Sequence, residues 1–344
     1  MASQPPESII LGSFKGVRNN VSRERLGTDD LEVALNVDID DAGQLRRRRG
    51  YSLKLAGDGH SVYTTTRGVL GVMDGVLGWV RPNFSFQALY AGMGGHAVGY
   101  AQVGDDIYFS SKVASGIVRA DDSVSPWGVS ASAPEWLSPV RSPTDTLGEI
   151  AGKLISPPPL ATDLDYYKGR IYLGVDRVLW ATELYLYNYV DRTRGYLPFE
   201  TDITLVKAVD DGVYVGTVGG LFFIQGTLAD GLKRTPVTDA QVFKGSGTTV
   251  PVSRMHPQAR QGPVPEGLGV MMMTSDGVYA GFNGGEVYNL TQDRVVFPNV
   301  ARVAALYREQ DGVNQFIAVA DSDGTPTSSA RIGDYMDAVI VRQI

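Results

Sequence analysis

The sequence predicts an all-β protein, a β-propeller of about six blades with an N-terminal arm and hairpin. Three observations lead there. A turn followed by an aromatic strand recurs along the chain. It returns on average about every 47 residues, within the roughly 40 to 50 that a four-stranded blade occupies. The composition, with 41 glycines, 18 prolines and 43% apolar residues among 344, suits many short strands joined by tight turns.

The recurrent unit is clearest at Asp211-Gly-Val-Tyr-Val-Gly216 and Asp276-Gly-Val-Tyr-Ala-Gly281, followed by Gly219-Gly220 and Gly284-Gly285 in the same spacing. Seven of the ten residues from Asp211 to Gly220 match those from Asp276 to Gly285. Looser copies stand at Asp74-Gly75, Asp105-Asp106, Lys168-Gly169 and Asp311-Gly312. Asp-Gly between two apolar runs is a strong hairpin signal because Gly accepts φ > 0. A repeated supersecondary unit closes into a ring or stacks into a solenoid.

Residues 1–30 are polar and read as an extended arm. Residues 31–51 read as a hairpin turning at Asp40-Asp41-Ala42-Gly43, so 1–50 form an arm and hairpin suited to subunit contacts. Residues 51–344 form the propeller, with insertions at about 121–160 and 227–267. The first is Pro-rich between Pro126 and Pro159, where strands are disfavoured. The second is rich in Gly, Thr, Pro and Gln, as long functional loops are. Leu184-Tyr-Leu-Tyr-Asn-Tyr-Val190 fits a short helix or an aromatic strand. Ala338–Arg342 reads as a last strand, of the kind that completes a blade begun by the N-terminal part.

Several function classes are disfavoured. There is no cysteine, so disulfides and thiolate metal sites are absent. The N-terminus has neither the basic nor the apolar region of a secretory signal, and no apolar run reaches membrane-spanning length, so a soluble protein is expected. The net charge is −7, and residues 1–50 carry eight basic and eight acidic residues. The negative excess therefore lies in 51–344, which argues against tight, sequence-reading nucleic-acid binding.

No motif supplies catalytic chemistry. The chain has three histidines and no nucleophile elbow, Walker loop or zincin motif. Asp38–Gly43 resembles the start of a calcium loop but has Ala42 at its fifth position and Arg49 at its twelfth. Gly92-Met-Gly94-Gly95 is followed by a strand pattern, not by the helix a dinucleotide site needs. No catalytic, cofactor or metal residue is assigned, and a non-enzyme is expected. The run Arg46, Arg47, Arg48 and Arg49, opposite Asp38 and Asp40, is read as an ion-paired interface; alternation on a strand leaves only two of the four arginines on one face. Tyr108, Tyr172, Trp180, Tyr214, Phe222, Phe223, Tyr279 and Tyr288 are expected to pack between adjacent blades, a stacking platform for sugars or bases being the alternative.

A family resemblance is carried by residue order. Gly16-Val-Arg-Asn-Asn20, Asn36-Val-Asp-Ile-Asp40, Gly43, Leu45, Arg48 and Gly50-Tyr51 resemble the opening motif of bacteriophage tail nozzle proteins. These are also described as tail tubular or packaged-DNA stabilisation proteins of short-tailed phages. The later stretches His60–Tyr63, Gly71–Gly75, Ile107–Ser110, Pro126-Trp-Gly128, Tyr167–Tyr172, Asp211–Gly216 and Gly333-Asp-Tyr335 follow in the same order. The chain resembles a reduced member, because only about thirty residues separate Trp127 from Pro157, where the family commonly carries an extra β domain.

The resemblance implies a virion protein of the tail, made in the host cytoplasm. It implies a homo-oligomeric, most simply hexameric, ring contacting a connector or adaptor and tail fibres or other tail proteins. Packaged double-stranded DNA would be retained and then conducted through its lumen without specific binding. Asp210, Asp211, Asp230, Asp239 and Asp276 are the expected channel-lining carboxylates. Alternatives from other classes are a tail-tip host-recognition or fibre-attachment propeller and a propeller glycan hydrolase.

Overall fold

The structure, a computed structural model, describes residues 13–34, 37–39, 43–47, 50, 52–128, 149–150, 153–228, 231–255, 267–291, 294–295, 297, 300, 302–310, 313–321 and 339–343. The chain is all-β and has a five-bladed propeller arrangement followed by a smaller sixth sheet. Blade 1 comprises Gly59–Thr65, Gly68–Met73, Val76–Val80 and Phe86–Ala91; blade 2 comprises Gly99–Val103, Asp106–Ser110, Ser115–Val118 and Val124–Pro126. Blade 3 is built on Asp163–Tyr167, Arg170–Val175, Val178–Glu183 and Tyr196–Pro198. Blade 4 holds Ile203–Ala208, Val213–Thr217, Gly220–Thr227 and Gly231–Thr238, and blade 5 holds Thr248–Pro251, Leu268–Thr274, Gly277–Gly281 and Val287–Asn289. The expectation of about six is thus close, but the sixth repeat contributes three strands, Arg302–Gln310, Val313–Asp321 and Val339–Gln343.

Each blade is an antiparallel meander whose strands alternate two apolar faces. In blade 1, Leu70 and Val72 share a face with their ladder partners Trp79 and Leu77, and all four are buried. They pack on Tyr100, Ile107, Phe109 and Val118 of blade 2. Four further clusters join blades 2 and 3, 3 and 4, 4 and 5, and blade 5 with the sixth sheet. At about 25 cal/mol per Å² of apolar surface, these inter-sheet contacts are the main source of stability in a chain without disulfides. The recurrent aromatics lie in or against them: Tyr108 contacts Trp127 edge-on at 5.3 Å, and Tyr214 meets Phe223 at 4.8 Å.

Apart from Asp311-Gly312, which lies outside the described residues, the expected turns are present, but they do not occupy one position in the blade. Lys168-Gly169 joins the first two strands of blade 3, with φ of 42° and 79°. These are the paired positive values that a two-residue hairpin takes to match strand twist. In blade 2 the tight turn is Gly104-Asp105, and Asp106 already pairs with Val103. Asp211-Gly212 follows the first strand of blade 4, whereas Ser275-Asp276 turns between the second and third strands of blade 5, where Gly277 already pairs with Thr274. The two most alike copies are therefore offset by one strand. The two copies pack on each other: Tyr214 of the first lies over Gly281 of the second, where an added Cβ would stand 2.8 Å from the ring. Gly212 is needed for space as well, since a Cβ there would meet the Phe223 ring at 2.3 Å.

Several segments differ from expectation. Val124–Pro126 completes blade 2, and Glu149–Ile150 and Lys153–Ser156 are strands inside the Pro-rich stretch. The latter pairs with Leu186–Asp191, which resolves the ambiguous aromatic segment as a strand and extends blade 3 into a seven-stranded sheet. Proline is tolerated here because Pro126 ends an edge strand and Pro157 follows a strand end. The second expected insertion supplies the outer strand of blade 4 and the first strand of blade 5. Pro236 sits on that outer edge, where no further neighbour requires its missing N–H. Residues 129–148 and 256–266 of these stretches lie outside the described residues.

The hairpin is present as Val37–Ile39 against Leu45–Arg47. The arm contains a two-residue parallel pairing, Gly16–Val17 with Asp30–Leu31. Arg18 and Arg294 both contact the Asp30 carboxylate, so the arm is anchored to the segment following blade 5 of its own chain. Val339–Gln343 joins the sixth sheet and lies near Val37–Ile39. It therefore extends the last sheet instead of completing one begun by the N-terminal part.

Candidate functional site

A group of ionisable side chains lies where the first strands of blades 3 and 4 meet. Asp163 and Asp165 alternate along the first strand of blade 3, so both carboxylates leave it on one side. That side meets the free edge of the first strand of blade 4. The Ala208 N–H donates to Asp165 Oδ2 at 2.9 Å, and the Val206 N–H donates to Asp163. Two side chains thus satisfy backbone donors that no strand pairs, which is the physical requirement at a buried sheet edge.

Two lysines balance these acids. Lys207 comes from blade 4 and Lys244 from the segment leading to blade 5; Lys244 Nζ donates to Thr162 Oγ1 at 2.5 Å. Burial pushes Asp163 up to about 6, against the attraction of Lys207 and Lys244. Burial also raises Asp165, and it lowers Lys244 despite the nearby Asp163 charge. Tyr63 and Tyr100, from the first strands of blades 1 and 2, stack at 5.2 Å and 16°. Burial, helped by the Asp165 charge, pushes Tyr63 up to about 12. The Tyr100 hydroxyl is raised by burial and has no hydrogen-bond partner among the described residues. The hub therefore ties blade 3 to blade 4 by charge-assisted hydrogen bonds, with aromatic rings from blades 1 and 2 beside it.

A second cluster joins blades 1 and 2 at their rim. Trp79 is fully buried and donates through Nε1 to Asp122 at 2.9 Å. Arg81 pairs with the same carboxylate at 2.6 Å, and Arg67 reaches it at 3.8 Å. Both guanidinium groups lie over the Trp79 ring, at 5.1 and 5.5 Å. The motif producing this is a repeated pentapeptide, Arg81-Pro-Asn-Phe-Ser85 and Arg119-Ala-Asp-Asp-Ser123. In each, the third side chain accepts from the serine N–H and hydroxyl, and the fourth residue has a positive φ, 62° at Phe84 and 65° at Asp122.

The residues singled out from sequence are dispersed. Asp210 and Asp211 sit where the first strand of blade 4 ends; Asp239 and Asp276 follow from strand direction onto the opposite rim. Asp210 accepts from the Leu268 N–H at 3.0 Å, and Asp211 from the Gly284 N–H at 2.8 Å. Both bind blade 5, so they act as clasps between blades. Asp276 accepts from the Thr274 and Tyr279 hydroxyls, while Asp239 is exposed. Asp38 stands opposite Arg46 in the hairpin ladder and Arg47 opposite Val37. Arg48, Arg49, Asp40 and Asp230 lie outside the described residues.

Sequence reasoning passed over Asp163, Asp165, Lys207 and Lys244. Thr162-Asp-Leu-Asp-Tyr-Tyr167 carries only the alternation of an ordinary half-solvated strand. The repeated Arg-x-Asn/Asp-x-Ser pentapeptide was available as a signal for the second cluster. Among the described residues, no three His, Asp or Glu side chains gather as a metal site would require.

No protein-family model matches the sequence, and no curated protein matches it significantly. Solved structures of similar shape include the Pan2 WD40 domain of Neurospora crassa, at 8% identity and TM-score 0.43, covering 76% of this chain and 71% of that one. The N-terminal domain of Nup159 is similar at 10% identity and TM-score 0.43, covering 77% and 74%. The computationally designed Ika8 protein matches at 12% identity and TM-score 0.39, covering 88% of each chain. The propeller arrangement rests on the sheets themselves, which these distant likenesses neither extend nor convert into a function.

Proposed function

We propose that this chain is a structural virion protein of a phage tail, a nozzle or tail-tube component that forms an oligomeric ring around the DNA channel. In this reading the ring retains packaged DNA and conducts it at ejection. The observation that carries the proposal is the hub. Asp163 and Asp165 are engaged by blade 4 backbone donors and face lysines, an arrangement that stiffens a building block. The ordered tail-nozzle resemblance from Gly16 to Tyr335 supplies the context.

In such a ring the DNA passes between subunits, and each propeller is a segment of the wall. Carboxylates repel duplex DNA usefully only within about one Debye length, roughly 8 Å at physiological salt. The exposed Asp239 is placed to serve if its rim faces the lumen. Electron microscopy of assembled particles tests the reading: subunits ringing the tail axis support it. A purified protein that stays monomeric at all concentrations and is missing from virions defeats it.

A second reading is host recognition at the tail tip. It draws on the extended hairpin of blade 3, whose turn presents exposed Leu184 and Tyr185, the latter with φ of 58°. Binding of the isolated protein on a glycan array would favour this alternative.

A further inference from the structure

The series of sheets ends on two apolar faces on which no other described sheet packs, although Lys54 lies over Phe84 at 5.9 Å beside the first. Five clusters join consecutive sheets; among the described residues, none joins the sixth sheet back to blade 1. One open face belongs to blade 1. Its ladder places Val69, Val80 and Phe86 in one row and Gly71, Gly78 and Ala88 in the next, with Val62 against Gly71. Val62 is 68% exposed. The other open face belongs to the sixth sheet, where Ala304 pairs with Val319 and Leu306 with Ile317. Leu306 is 50% exposed.

The pentapeptide repeat shows how blade 1 is prepared for a neighbour. In blade 2 its fourth residue, Asp122, reaches back to Trp79 of the preceding blade. The equivalent residue of blade 1 is Phe84, held at a φ that costs an aromatic residue strain, and 50% exposed. Beside it lies a cavity of about 270 Å³ lined by Val69, Val80, Arg81, Pro82 and Phe84. By the logic of the repeat, Phe84 addresses a sheet that would precede blade 1.

We propose that the open face of blade 1 docks the open face of the sixth sheet of a second copy of this chain, head to tail. The contact continues the five inter-sheet interfaces already present, since every one of them joins the trailing face of one sheet to the leading face of the next. Such a contact is heterologous, and heterologous contacts form a closed ring when the rotation permits. Four strands of about five residues cover roughly 300 Å² in projection. Stable pairs bury about 800 Å² of accessible surface per partner. A single contact is therefore small, and a closed ring, in which each copy makes two, is the favoured assembly. The inference rests on the ring reading above and specifies which surfaces build the ring.

The absence of native cysteine allows a clean test by cross-linking with a short bis-maleimide. Mixing Val62→Cys with Leu306→Cys single variants should give a heterodimer that neither variant gives alone, and the double variant should give a ladder of oligomers. Leu306→Asp, at a position exposed in the single chain, should fold normally by circular dichroism and weaken self-association roughly tenfold or more. Cross-linking of the double variant only within one chain would overturn the proposal, because the sheets would then close on themselves. Monomeric protein without cross-links would also overturn it. A ring without the Val62–Leu306 link refutes this interface while leaving the ring; a head-to-tail link in a protein missing from virions does the reverse.

Discussion

Replacing Asp163 with Asn should remove a pH dependence of stability that the hub imposes. The Asp163 carboxyl is pushed up to about 6 in the folded chain, from an ordinary 3.8. Below pH 4 it is protonated in folded and unfolded chains alike, so the stabilisation of the protonated form is fully present. As pH rises from about 4 to 6, the unfolded chain releases this proton while the folded chain holds it, and stability falls. A separation of roughly two pH units corresponds to about 3 kcal/mol, lost by the time pH passes 6. Burial drives the effect, and Lys207 and Lys244 only moderate it. Asn keeps an oxygen to accept from the Val206 N–H but does not titrate. Urea denaturation of both proteins between pH 4 and 7.5, followed by circular dichroism, is the assay. The difference in unfolding free energy should change by about 3 kcal/mol in favour of Asp163→Asn as pH rises. The many other carboxylates are common to both proteins and largely cancel. Parallel stability curves would show that Asp163 is not held in a desolvated hub, and the reasoning would fail.

Three other outcomes are expected. Trp79→Phe should cost about 1.5 to 3 kcal/mol, because Asp122 loses a charge-assisted donor within the blade 1–blade 2 rim; a change below about 0.5 kcal/mol in urea titration would refute that role. Tyr214→Phe should cost about 1 to 3 kcal/mol, since its buried hydroxyl donates to the Phe282 carbonyl at 2.5 Å, a proton shared with the Glu286 carbonyl at 2.9 Å; an unaltered melting temperature would contradict it. Gly281→Ala should destabilise by about 1 to 3 kcal/mol through the clash with Tyr214, whereas Gly95→Ala, with open space at its Cβ, should be nearly neutral. Equal effects at the two glycines would disprove the close packing of Tyr214 on Gly281.

Hairpins, their turns and the apolar alternation of strands are local, set by φ preferences and a two-residue period, so the chain announces them residue by residue. That is why Lys168-Gly169, the strands around Tyr214 and Tyr279, and the hairpin at Val37–Arg47 were legible without coordinates. The same locality misleads when position in a blade matters. Asp211-Gly212 and Asp276-Gly277 look equivalent but fall at turns between different strand pairs, because nothing in a short motif records how many strands precede it. Strands containing Pro126, Pro236 or the neighbours of Pro157 were concealed, since only the assembled sheet reveals which edges are free of hydrogen-bonding demands. The hub is the clearest case of what tertiary structure alone decided. Asp163 and Asp165 resemble solvated strand acids until the edge of blade 4 brings the Val206 and Ala208 N–H groups against them. Burial then sets their charge, and burial is a property of the assembled blades that no stretch of sequence contains.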